Sequence, residues 1–353
     1  MLDPVWLTSV NTELADLIAR GIALRASLAE AGGPAVAGRL LAARRTLPAG
    51  DRELLAWWRD DAVRGVFEVR AVGGPDSLEL LNLVDDLPYR VHGFAAPAPL
   101  VAGMFASGTL LPLTDDDTAW LAAGDEVSYP AEDGRQVARL AIDMATHEPD
   151  LVFRNPDKAA QGWEHMRKDR EEFLSFFGAD ELMFPTAEAE GRLNAYYRMR
   201  RDALASARGR HRHVSDSGET TFVMPQGFFE FDTVGIIYDE TDGFIVVPEY
   251  GALRELFADP ALVADPAHAE VLKAYLREDA IPPLPLRRTA AAYPAEQVDA
   301  VYRRVLGNRN FTWKANGEAL LRKRKPSHYA DEPTPGVAVL SDRLLELARA
   351  GKK

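Results

Sequence analysis

The sequence predicts an α+β protein in which N-terminal helices precede a small antiparallel β-barrel, a helical region and a C-terminal α+β domain. Three patterns predict this class. Apolar residues recur at helical spacing in several segments. Between residues 65 and 131 they alternate with polar residues, as in strands with one wet face. Two unbroken apolar runs, 234–238 and 244–247, flank a short acidic loop.

Changes between these patterns divide the chain into five segments. With 353 residues the chain is long enough for two or three domains, each with its own core. We expect an N-terminal helical segment, a barrel-like module, a helical region, a C-terminal α+β domain and a terminal helix or tail. Their ranges are 1–64, 65–131, 132–215, 216–340 and 341–353.

The N-terminal segment is predicted to contain three helices. Residues 5–30 carry leucines and isoleucines near helical spacing, and a Gly-Gly-Pro step at 32–34 ends that helix. A short helix is expected over residues 35–45. Asp51 is the expected N-cap of a third helix over 51–63, because its carboxylate can accept a hydrogen bond from a free amide of the first turn.

Short strands are expected in the second segment. Phe67 and Val69 alternate with Glu68 and Arg70, which is the period of a strand with one buried face. Turn sequences follow at regular intervals, as in a meander. About five strands in so short a stretch predict a barrel of SH3-like or OB-like size.

Helical spacing returns after residue 133. The step Asn155-Pro156-Asp157 is a strong helix start, because it supplies a cap, a proline for the first turn and an acid near the positive end of the helix dipole. The arginines of residues 198–201 follow at the other end of a later helix, where positive charge is favourable.

The C-terminal domain is predicted around a central antiparallel hairpin. Its two apolar runs read as strands buried on both faces, and Gly243 supplies the positive φ that the loop requires. Residues 281–286 contain three prolines and are expected to be extended. Phe311 and Trp313 are expected on a strand, and a last helix is expected from Ser341.

The composition is that of an acidic globular protein. The formal net charge is −13 and 47% of the residues are hydrophobic. The sequence contains no cysteine, which excludes disulfides, thiolate metal sites and a cysteine nucleophile. It has no uninterrupted apolar run of about 18 residues and no basic N-terminal leader, so we expect neither a membrane span nor a signal peptide. These features predict a cytoplasmic protein.

Motifs of the commoner enzyme classes are absent, and neither a catalytic residue nor a cofactor is predicted. There is no phosphate-binding GxxxxGKS/T, dinucleotide-binding GxGxxG, hydrolase GxSxG or zinc-binding HExxH. His211, His213 and Asp216 are weak candidates for a metal site, since imidazoles and a carboxylate lie close in sequence. The neighbouring Arg210 and Arg212 would repel a cation, so no metal site is predicted.

Positive charge is concentrated in two segments of this acidic chain. Residues 198–212 hold six arginines and one aspartate, and residues 303–325 hold eight lysines or arginines and one glutamate. Cations interleaved with aromatic side chains are typical of single-stranded nucleic-acid binding. Nucleic acid is possible but not favoured, because the chain is acidic and its basic segments can also pair with its own acids. The candidate polyanion contacts are Arg208, Arg210, Arg212, Arg309, Phe311, Trp313, Lys314, Arg322, Lys323, Arg324 and Lys325.

Two functional hypotheses follow. The first is a cytoplasmic, non-catalytic binding or adaptor protein with an unknown protein or polyanion partner and no membrane contact. The alternative is an enzyme that processes phosphoesters or nucleic acid. It would use Asp239, Asp242 or the loop of His211 and His213, with residues 322–325 to hold the substrate.

Overall fold

The computed structural model describes most of the chain as two compact units. The first unit combines Met1–Gly162 with Val337–Lys353, and the second is the continuous segment Trp163–Gly336. The predicted α+β class is confirmed, whereas the five-segment division stays a prediction. The described residues are 14–26, 37–43, 47–74, 77–94, 100–114, 118–124, 126–207, 222–330 and 332–350.

A closed barrel forms the centre of the first unit. The strands are β1 (Val63–Gly74), β2 (Ser77–Asn82), β3 (Pro88–His92), β4 (Phe105–Pro112), β5 (Trp120–Ala122) and β6 (Val127–Tyr129). The first five run in the order β1-β2-β3-β5-β4, and β1 pairs with β4 to complete the ring. Among the described strands, β6 pairs only with one end of β4.

The predicted barrel is confirmed with one difference. Strands β3 and β5 pair in parallel, Val91 opposite Trp120 and His92 opposite Leu121, so the barrel is mixed rather than purely antiparallel. The five closed strands match in number the small barrel that the sequence predicts. The alternation in the sequence could not show the parallel pairing, because β4 separates the two strands along the chain.

Side chains of alternate residues fill the barrel or face outwards. Inside, Tyr89 lies edge-on to both Phe67 and Trp120, with ring centroids 6.1 Å and 5.1 Å apart. Outside, Arg70, Glu79 and Arg90 are exposed on the face that the sequence predicts to be wet, but Glu68 on the same face is covered. Glu68 is only 4% exposed, and both of its carboxylate oxygens accept hydrogen bonds from Arg343, at 2.7 Å and 2.9 Å.

Helices cover the barrel from both ends of the chain. Helices α1 (residues 14–26), α2 (Ala37–Ala43) and α3 (Ala49–Asp60) share an apolar cluster with β4 and β5. Helix α4 (Gly134–His147) packs against β1, and the C-terminal helix α13 (Asp342–Arg349) packs against α4. The last helix of the chain is therefore part of the first unit.

A buried polar network lies at the turn between β2 and β3. The Asp85 side chain is fully buried and accepts hydrogen bonds from Tyr89 Oη (2.6 Å), Asn82 Nδ2 (2.9 Å) and the Leu87 amide (2.9 Å). The Asn155 side chain donates to the Asp85 carbonyl at 2.8 Å. The network thus fixes the turn to the residue that starts the next long helix.

Asn155 begins helix α6 (Pro156–Phe177) as the sequence predicts. Its Oδ1 accepts a hydrogen bond from the Asp157 amide at 2.9 Å. The short helix α5 (Asp150–Phe153) precedes it, and α7 (Thr186–Ala207) follows in the second unit. Among the described residues, no helix is both long enough and apolar enough to cross a bilayer.

The second unit contains the predicted central hairpin. Strands β7 (Glu181–Pro185), β8 (Thr233–Asp239) and β9 (Gly243–Pro248) form an antiparallel sheet with β8 in the middle. Ile236 and Ile237 are fully buried, and Gly243 turns the hairpin with a φ of 72°. The hairpin prediction is confirmed, although β9 is an edge strand and only partly buried.

Helices complete the second unit, and two local predictions are wrong. The proline-rich segment is not extended to residue 286, because prolines are tolerated in the first turn and a helix begins at Leu284. Trp313 starts a helix rather than lying on a strand. The helices are α8 (Tyr250–Ala258), α9 (Pro266–Arg277), α10 (Leu284–Ala292), α11 (Ala295–Leu306) and α12 (Trp313–Arg324).

We expect Gly65→Ala to lower the free energy of unfolding by about 1–3 kcal/mol, the range for overpacking. A Cβ at Gly65 would lie 2.7 Å from Asn82 Oδ1 and 2.8 Å from its Nδ2, so it would displace a side chain of the buried network. Urea unfolding measures the change. Gly191→Ala is the control, because a Cβ there meets nothing within 4 Å and the residue is helical. Equal effects of the two substitutions would contradict the role of Gly65.

We expect Asp85 to make stability depend on pH. Burial raises the pKa of Asp85 to about 6 from an ordinary 3.8, while hydrogen bonds from Tyr89, Leu87 and Asn82 oppose the rise. The folded protein therefore holds this proton more tightly than the unfolded chain. The resulting stabilisation is complete below pH 3.8 and is lost as the pH rises through about 6. The pKa shift corresponds to a contribution of about 3 kcal/mol to the free energy of unfolding.

Urea unfolding at several pH values, for the wild type and Asp85→Asn, measures this contribution. The variant cannot ionise at residue 85, so the difference between the two curves should change by about 2–3 kcal/mol across the acidic range. Asp61→Asn, at an exposed position, is the matched control. Parallel curves for the wild type and Asp85→Asn would rule out Asp85 as the titrating group.

Candidate functional site

The predicted basic segment 303–325 lies entirely in the second unit, and the structure divides its residues between buried and exposed positions. Arg303 is held within the fold, since it donates to the Phe311 carbonyl at 2.8 Å and to Asp299 at 3.2 Å. Arg304 donates to the Pro260 carbonyl at 3.2 Å. These two arginines therefore have structural partners.

Lys325 is not a surface residue, which corrects its assignment as a polyanion contact. Its side chain is fully buried, and Nζ donates to the carbonyls of Glu278 and Ile281, each at 2.6 Å. Burial lowers the pKa of Lys325, and the charges of Asp279 and Glu278 oppose that change. Lys325 therefore ties the end of α12 to the loop that follows α9.

The two candidate aromatic side chains also pack against other residues of the second unit. Phe311 is 4% exposed and lies against Tyr302, with ring centroids 5.3 Å apart. Trp313 is half-buried and stacks on Tyr302 with a centroid separation of 4.8 Å. Phe311 cannot stack on a base, and one face of Trp313 is covered. The predicted role of these rings in base stacking is corrected accordingly.

Four exposed cations of this segment have no hydrogen bond or ion pair with any residue that the structure describes. Other cations of the unit are paired: Arg277 lies 2.9 Å from Glu270, and Arg287 lies 2.8 Å from Glu318. Arg322 is exposed but not free, because its guanidinium carbon lies over the ring of Tyr329, 4.5 Å from the ring centroid. We call the following set the unpaired cations: Arg309, Lys314, Lys323 and Arg324.

One of the unpaired cations borders a cavity. A space of about 300 Å³ opens where the last turns of α9, α11 and α12 meet. The basic side chains on its wall are Lys273, Arg277 and Arg324, and its apolar surface comes from Leu276, Val305 and Leu306. Lys273 and Arg277 are not among the contacts predicted from the sequence. The only signal for them in the sequence is a pair of cations four residues apart near the end of a helix.

The other basic segment is described only in part. Arg200 is held by Asp169 and Glu172 and lies over the ring of Tyr196. Arg201 is exposed. The remaining candidates of this segment lie outside the described residues, namely Arg208, Arg210, His211, Arg212, His213 and Asp216.

Two of the three acids at the tip of the central hairpin, Asp239 and Glu240, are engaged with the protein itself. Asp239 accepts hydrogen bonds from the amides of Thr241 (2.9 Å) and Asp242 (3.3 Å) and from Arg288 (3.0 Å). Glu240 lies 3.3 Å from Arg170. In the part of the chain that the structure describes, no three His, Asp or Glu side chains are grouped so that they could hold a metal ion.

Comparisons with known proteins give no assignment for this chain. No family model, no curated protein and no solved structure matches it.

We expect Lys325→Met to lower the free energy of unfolding by about 1–3 kcal/mol, because it removes two charged hydrogen bonds from a buried position. Lys323→Met, two residues away and exposed, should change it by less than about 0.5 kcal/mol. Urea unfolding of both variants tests the contrast. If both variants were as stable as the wild type, the buried hydrogen bonds of Lys325 would not contribute to the free energy of unfolding.

Proposed function

We propose that this chain is a non-catalytic binding protein that holds a flexible polyanion on the unpaired cations of its second unit. The observation that supports the proposal is the lack of any partner for these four exposed side chains among the described residues. An exposed cation that already has a partner must exchange it for a new one, whereas these four need not. Placement in the cytoplasm stays the expectation drawn from the sequence.

Local charge decides whether an acidic protein can hold an anion. The net charge of −13 repels polyanions at long range. At physiological ionic strength, however, exposed charges are screened beyond roughly 8 Å. A bound polyanion therefore responds mainly to the cations next to it, and its affinity should fall steeply with added salt.

The positions of the cations favour a flexible ligand over a rigid one. Lys314 and Lys323 are nine residues apart on α12, which places them on nearly opposite sides of the helix, since each residue turns about 100°. A straight duplex cannot reach both sides of one helix. A single strand or an extended acidic peptide can bend around the helix end.

The enzyme alternative has less support from the described residues. It would need ionised, free carboxylates, but Asp239 is bound by two backbone amides and Arg288, and burial together with the charge of Asp239 raises the pKa of Asp242. Of the cations intended to hold the substrate, Lys325 is buried. The loop of His211 and His213 lies outside the described residues, so that version stays a prediction.

Binding of a fluorescent oligothymidylate, measured by anisotropy over a salt series, tests the proposal. Each phosphate contact contributes about −0.7 to the slope of log K against log salt for a single strand. The double variant Lys323→Glu and Arg324→Glu should weaken binding and make the slope less steep by roughly 1.4. A polyglutamate probe reports whether the contact extends to acidic peptides.

The matched control is the double variant Arg167→Glu and Arg192→Glu, which changes the net charge equally in the same unit at two exposed arginines outside the basic segments. It should leave the slope close to that of the wild type. If neither probe binds at low salt, or if both double variants weaken binding equally, the proposal is wrong.

A further inference from the structure

We propose that the cavity between the ends of α9, α11 and α12 is a second site, which binds a small amphiphilic monoanion. The ligand class is an aliphatic monocarboxylate, with the carboxylate at Arg324 and the chain on Leu276, Val305 and Leu306. This site differs from the polyanion contact in its ligand, and it shares only Arg324 with it.

Part of the cavity wall is apolar. Leu276 is 4% exposed and belongs to the core of the second unit. Val305 and Leu306 are half-buried and pack against the same core, and all three line the cavity. A ligand chain placed there removes their remaining exposed surface from water, together with its own.

The cations on the wall are not equivalent. Lys273 lies 3.6 Å from Glu270, and Arg277 lies 2.9 Å from Glu270 and 3.1 Å from Glu278. Arg324 has no such partner among the described residues. The cavity therefore offers one guanidinium whose charge is not already matched, and a guanidinium binds the two oxygens of a carboxylate side by side.

The partial charges of the helix ends favour a ligand with one negative charge over a ligand with several. The cavity lies at the C-terminal ends of three helices, and each end carries about half a negative charge. These partial charges, with the two glutamates, oppose much of the positive charge of Lys273, Arg277 and Arg324. These negative groups repel a phosphate dianion about twice as strongly as a monoanion. A carboxylate can pair with Arg324 while carrying only a single charge.

The size of the cavity limits the length of the chain. A volume of about 300 Å³ is at the lower end of the range for ligand pockets. A short aliphatic monocarboxylate suits a space of this size, and we use octanoate as the probe.

Isothermal titration calorimetry of the full chain tests this site. Octanoate should bind the wild type with a Kd of about 1 mM or tighter. Octan-1-ol, which lacks the charge, and inorganic phosphate, which lacks the chain, should bind much more weakly. Arg324→Gln should weaken octanoate binding roughly tenfold, the effect of losing one charge-assisted contact. Its unfolding transition should match the wild type, because Arg324 is exposed and unpaired.

Lys323→Gln is the matched control, since Lys323 is exposed and unpaired but does not line the cavity. It should leave octanoate binding unchanged while weakening oligothymidylate binding. If Lys323→Gln weakens octanoate as much as Arg324→Gln does, or if octan-1-ol binds as tightly as octanoate, the site is not the one described. Failure of both oligothymidylate and polyglutamate to bind the wild type would end the polyanion proposal and leave the octanoate result standing.

Discussion

Burial of β8 on both of its faces is the constraint on which the second unit depends. Ile237 belongs to the apolar cluster on one side of the strand, and Ile236 and Tyr238 belong to the cluster on the other. Gly235 is needed for the close approach of a helix, because a Cβ there would lie 2.5 Å from the ring of Tyr250. The helices that bear the candidate sites pack into one of these clusters, so their geometry follows from this strand.

Local patterns in the sequence predicted much of the fold. The unbroken apolar run of β8, the turn glycine at 243 and the cap at Asn155 each act within a few residues, and the structure has all three. The parallel pairing of β3 with β5 and the contact between Glu68 and Arg343 are different. They join residues that are distant along the chain, and no local pattern records which partner a strand or a carboxylate will find.

The environments of the charged residues in the candidate site could likewise not be predicted from local sequence patterns. Lys323, Arg324 and Lys325 are adjacent and chemically similar, and composition treats them alike. In the structure Lys323 is exposed to solvent, Arg324 lines a cavity, and Lys325 is buried and donates hydrogen bonds to two carbonyls. The difference arises from where α12 ends and what lies beside it. The sequence could identify a basic segment, but not which of its members keep an unsatisfied charge.

The discontinuous first unit has a consequence for how the protein is made. Helix α4 and strand β1 form an apolar surface that is completed by Leu344 and Leu347 of the last helix. A ribosome producing roughly 5–20 residues per second needs about 10–40 s to pass from α4 to that helix. The intervening segment is continuous and can fold during that interval. Until the last turn emerges, the nascent barrel exposes a surface to which a chaperone can bind.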